Sequence, residues 1–97
     1  MLLTKTQEKI INTAIHGYGI DNQRLKCLEE LAELSKELCK DGIGKGNKAH
    51  IAEEIADVEI MLEQMKVYYG IDDAVRFSAK IKLEQLGERV GVLNAEN

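Results

Sequence analysis

A chain of 97 residues with a formal net charge of −4 has enough sequence for one domain and too little for two. Its acidic balance leaves no basic stripe for a nucleic-acid polymer, and its apolar runs are too short for a membrane span or a signal-peptide hydrophobic region. The expectation is one soluble, cytoplasmic domain over residues 1–97, with its core in about 4–90. A nucleotide remains admissible as a ligand, because a bound metal reverses the local charge.

Four helices are expected in chain order. The first runs from about Thr4 to His16, capped by Thr4 or Thr6, with Ile10, Ile11, Ala14 and Ile15 apolar. A turn over Gly17–Ile20 ends it, and Asp21 or Asn22 caps a second helix reaching about Lys40. There Leu25, Leu28, Leu31, Ala32, Leu38 and Cys39 form a broad apolar face, with Glu30, Glu33 and Glu37 on its flank. Asp41–Asn47 reads as a glycine-rich connector. It does not match the phosphate-loop pattern, and no strand precedes it.

The third helix spans about Lys48 to Tyr69 and stops at Gly70. Its predicted buried stripe is Ile51, Ile55, Val58, Met61, Leu62 and Met65. Asp72 or Asp73 opens the fourth, where Val75, Phe77, Ile81, Leu83, Leu86 and Val90 are candidate contacts, and the tail over 91–97 is expected to fray. With no Pro, no Trp and no strand pattern, the class is all-α. Cys27 and Cys39 stand about 18 Å apart along one helix and cannot bridge, so two reduced, mostly buried thiols are expected. His16 and His50 are each solitary, and packing or surface roles suit both.

Two acidic clusters carry the chemistry. Glu29-Glu30-Leu31-Ala32-Glu33 lies on the second helix and Glu54-Ile55-Ala56-Asp57 on the third. An i, i+3 spacing sets two carboxylates one turn apart on one side of a helix. The short connector favours antiparallel packing of these helices, which would bring the clusters together. Converging carboxylates need a cation, and hard oxygen donors suit Mg²⁺ or Mn²⁺. Glu54 is the most informative residue, because it falls inside an apolar stripe, where a carboxylate is costly unless paired or metal-bound. Glu53, Glu59 and Glu63 point elsewhere and read as solvated acids. The bland alternative is a solubilising face with i, i+4 pairs such as Lys26 with Glu30.

The order E-E-x-x-E, a gap of twenty residues, then E-x-x-D on helices of a small all-α chain resembles the MazG-like nucleoside triphosphate pyrophosphohydrolases of the all-α NTP pyrophosphatase superfamily. Lys82-Leu83-Glu84-Gln85-Leu86-Gly87-Glu88-Arg89 resembles the K-x-x-R-L-x-x-R helix of many such chains, with Gln85 in place of an Arg. The resemblance covers about Ile11 to Val90. It implies a four-helix MazG-like bundle and Mg²⁺-dependent hydrolysis of a (d)NTP between the α and β phosphates, in a nucleotide-pool-cleaning role. By the same resemblance Glu30, Glu33, Glu54 and Asp57 would hold Mg²⁺ (or Mn²⁺). Glu29 would be a further ligand or the base for water, and Gln23, Lys82 and Arg89 would bind substrate.

No Ser/His/Asp or Cys/His arrangement competes, and metal-assisted hydrolysis needs no protein nucleophile. The alternatives are a phosphoribosyl-ATP pyrophosphohydrolase of the same superfamily and a non-enzymatic acidic helical module. Surplus apolar residues, including Ile60, Tyr68, Phe77 and Ile81, lead us to expect a homodimer or a dimer of dimers.

Overall fold

The computed structural model describes residues 1–94. It is all-α: α1 (Lys5–Tyr18), α2 (Ile20–Gly42), α3 (Lys48–Tyr69) and α4 (Asp72–Arg89). No strand occurs among the described residues, and none of these helices is long and apolar enough to cross a membrane.

The helix ends follow local chemistry. Thr4 caps α1 in a reciprocal box with Gln7 (3.1 and 2.9 Å). Only Gly19 separates α1 from α2, so the expected four-residue turn shrinks to one position. Its φ of +86° is where a glycine is required. Asp21 and Asn22 consequently lie inside α2 rather than capping it. Asp21 accepts from Arg24 and Asn22 donates back to the Tyr18 carbonyl. Asn47 caps α3 by accepting from the Ala49 and His50 amides. Gly70, in the left-handed region, ends α3 as expected. Ile71, not an aspartate, occupies the N-cap of α4, and no side chain caps that end. The tail over 91–94 turns back instead of fraying: the Val92 and Leu93 amides donate to the Gly87 carbonyl. Residues 95–97 of the expected frayed tail lie outside the described residues.

The main packing unit is the α2·α3 pair. Gln23 on α2 meets Gln64 on α3, and Glu30 meets Glu54 and Asp57. Partners therefore descend on α3 as they ascend on α2, and the pair is antiparallel. The α2 seam is Gln23, Cys27, Glu30, Leu34 and Glu37, alternating steps of four and three; on α3 it is Ile51, Glu54, Val58, Met61 and Met65. This is coiled-coil spacing with polar residues at its centre.

That seam overturns two expectations. The leucine face of α2 points outward, with Leu25 at 65% and Leu28 at 58% exposure, and Cys39 is exposed with it. On α3 the buried stripe runs through Glu54, while Ile55 and Leu62 are exposed. α1 adds Ile11 and Ile15 to a small core completed by Cys27, Val58 and Met61. α4 touches only α3 and buries no residue, so its six candidate contacts, from Val75 to Val90, are not core within one chain.

A third correction concerns Glu63, expected to be a solvated acid. It is 5% exposed, with the Lys66 ammonium at 2.6 Å and the Met1 amino group at 3.2 Å. Lys66 also reaches Asp72 (3.7 Å), which pairs with Arg76 (2.7 Å). This charge chain ties the start of α4 to α3.

Candidate metal centre

The antiparallel seam brings the two acidic clusters together midway along α2 and α3. One carboxylate oxygen from each of Glu30, Glu54 and Asp57 lies within 4.8 Å of the other two. Glu30 is 9% exposed and Glu54 is half-buried. Glu54 Oε2 is the only buried side-chain oxygen or nitrogen among the described residues without a hydrogen-bond partner. A buried polar atom of this kind is costly unless something satisfies it.

The electrostatics follow from this crowding. Burial and the neighbouring Glu30, Asp57 and Glu33 carboxylates push the Glu54 pKa up. The Lys26 ammonium, 3.1 Å away, holds the Glu30 carboxyl below the ordinary range, against the effect of burial. Two adjacent glutamates are thus pushed apart, Glu30 the stronger acid and Glu54 the weaker. The donor set is all-oxygen, anionic and convergent from two helices, which fits a hard divalent cation. Glu30, Glu54 and Asp57 would hold it. Glu33 is half-buried and close enough to raise the Glu54 pKa, but lies outside the three-oxygen cluster.

The other expected site residues are placed differently. Glu29 is exposed and faces Lys26 at 3.7 Å. Gln23, expected to bind substrate, is buried and donates its amide to Gln64 Oε1 at 2.7 Å, so that amide is spent on the helix seam. Lys82 and Arg89 lie on α4, which has no contact with α2. A single chain does not bring them to the carboxylates. Lys26, to which the sequence assigns only a pairing role, is the cation that meets the cluster. A lysine one turn before an acidic cluster is the signal that could have marked it. Comparison of the chain with protein-family models, curated proteins and solved structures found no match to any of them.

Proposed function

We propose that the chain is a divalent-metal-dependent nucleoside triphosphate pyrophosphohydrolase, releasing a (d)NMP and pyrophosphate. The observation that carries this reading is the unpartnered, buried Glu54 Oε2 beside Glu30 and Asp57. A scaffold helix would gain stability from an apolar residue there, whereas a cation between the helices satisfies all three carboxylates. The choice of bond, between the α and β phosphates, comes from the resemblance of the motifs. When bound, Mg²⁺ or Mn²⁺ supplies charge neutralisation and lowers the pKa of a coordinated water. The protein's own part is to set Glu30, Glu54 and Asp57 at fixed positions on two packed helices, and to offer Glu33 and Glu29 at the margin as further acceptors for a proton or water.

We further propose that the working form is a homodimer or a dimer of dimers. The chain exposes 7490 Å², against about 5,600 Å² for a compact monomer of its mass. The leucines of α2, together with Phe77 (66% exposed) and Ile81 of α4, supply the apolar part of that excess. Docking of a second copy would cover them, and is the route by which Lys82 or Arg89 could reach a neighbour's carboxylates.

A nucleotide screen reading out pyrophosphate is the test. Release is expected with Mg²⁺ and not with EDTA. No release from any canonical or modified (d)NTP, under conditions where the chain is folded, would remove the enzymatic reading.

A further inference from the structure

The Lys26 side chain has features that a fixed surface ion pair does not need. Its ammonium lies 3.1 Å from Glu30 and 3.7 Å from Glu29. It thus leans on a member of the three-carboxylate cluster, a cation against anions. Its side chain is half exposed, whereas that of Glu30 is nearly buried, so the lysine can swing and the glutamate cannot. Lys26 also lines an open hollow of about 500 Å³ beside the cluster, together with Tyr18, Asn22, Gln23, Leu25, Glu29 and Met61. An aromatic ring, an amide and apolar walls beside an ammonium suit the base and phosphates of a nucleotide.

We infer that Lys26 is an exchangeable counter-cation, which holds Glu30 until a divalent cation takes that carboxylate and then turns to the phosphates of the nucleotide. The inference rests on the proposed function. Its physical basis is competition. Glu30 cannot give its charge fully to both an ammonium and a divalent ion, and the two cations repel at this separation. Once displaced from Glu30, the ammonium keeps only the longer, exposed contact with Glu29 (3.7 Å) at the mouth of the hollow, with donors left for an incoming anion. Lys26 therefore weakens metal binding in the chain alone and strengthens nucleotide binding in the metal-loaded chain.

The test is a Mn²⁺ titration of the full chain followed by electron paramagnetic resonance, then titration of the Mn²⁺-loaded chain with a non-hydrolysable α,β-imido nucleoside triphosphate. Lys26→Met and Lys26→Gln are compared with wild type, with circular dichroism to show that the helices are retained. Both variants are expected to bind Mn²⁺ roughly 1.5- to fivefold more tightly, the scale of losing one partly exposed charge pair. Both are expected to bind the nucleotide analogue more weakly by at least about the same factor. Lys26→Arg should stay near wild type in both titrations. Equal or weaker Mn²⁺ binding in both neutral variants overturns the inference, and so does unchanged nucleotide affinity. If wild type itself binds no Mn²⁺, the metal-site reading fails and this inference goes with it, an outcome distinct from the other two.

Discussion

Glu54 and Glu63 lie on the same helix, and both are more buried than an isolated glutamate should be, with opposite consequences. Around Glu54 the neighbours are carboxylates, so its pKa is raised and the folded chain binds protons that the unfolded chain has released. Its ionised form weakens the fold at neutral pH, and this penalty fades as pH falls through the raised value into the ordinary glutamate range. Glu54→Gln should therefore raise the melting temperature at pH 7 without added metal, and the gain should shrink on acidification. The same variant should lose metal-dependent pyrophosphate release by at least about a hundredfold, since even residues that merely support a metal ligand cost ten- to a hundredfold. Full turnover by this variant would remove Glu54 from the ligand set.

Around Glu63 the neighbours are cations. Burial pushes its carboxyl up, but Lys66 and the Met1 amino group outweigh burial and hold the pKa down. Its contribution is present above the ordinary glutamate range and is lost as pH falls through the lowered value. Glu63→Gln should destabilise the chain by about 1–3 kcal/mol at pH 7, the range for leaving a buried polar partner unmet. Chemical denaturation checks this, and a silent outcome would mean that the charge chain to Lys66 and Asp72 contributes nothing to the fold. The fraction that remains folded should retain metal-dependent turnover.

At the scale of the elements, the register of the α2·α3 pair is marked by a buried polar contact at the edge of the seam. The Gln23–Gln64 contact sits at one end and is lost if the helices slip. The carboxylates at the middle instead repel one another, and favour this register only with a cation between them. Replacing only Gln23 by Leu leaves the Gln64 Oε1 buried without its donor, and should cost about 1–3 kcal/mol. Replacing both glutamines by Leu should restore most of that loss, because two apolar groups of similar size can substitute for a buried polar pair. Denaturant unfolding of the two single variants and the double variant gives the coupling directly. Additive losses would mean the two amides do not interact. The loop that closes the pair is also constrained. A side chain at Gly46 would put its Cβ 2.6 Å from the Asp41 Cα, which leaves no room for the connector to follow the same path.

The whole molecule is long for its size, with a radius of gyration of 16.6 Å against about 12.5 Å for a compact chain of this length. Its core is small, and α4 stands out from the α2·α3 pair with apolar residues around it. A second copy is the proposed cover. Light scattering across a dilution series should give a mass of two or four chains. Leu28→Glu, at the centre of the exposed α2 face, should shift that mass toward one chain while circular dichroism remains helical. A wild-type mass of one chain at all concentrations, with turnover retained, would show that the site is complete within a monomer.

Periodicity and glycines were sufficient for four helices and for their ends to within about two residues, because these depend on residues a few positions apart. The aspartate and asparagine caps expected for α2 and α4 are nevertheless not used. The approach of Glu30 to Glu54 and Asp57 was also legible, since i, i+3 spacing and a short connector leave few other arrangements. The buried face of α2 was not. Leucine content points to Leu25, Leu28, Leu31 and Leu38 as core, yet the fold buries Gln23, Cys27, Glu30 and Glu37. Hydrophobicity measures the cost of exposing a side chain, and cannot say whether another helix of the same chain or a separate surface will cover it. For the same reason Glu63 passed for a surface acid. Lys66 is a local i, i+3 partner, but the Met1 amino group, and the Asp72 that shares Lys66, are brought near only when the N-terminal segment and α4 pack on α3. The lysine pairs of Glu30 and Glu63 follow from i, i+4 and i, i+3 spacing on one helix. Which carboxylates meet each other across α2 and α3, by contrast, was decided by helix register, a property of the tertiary structure alone.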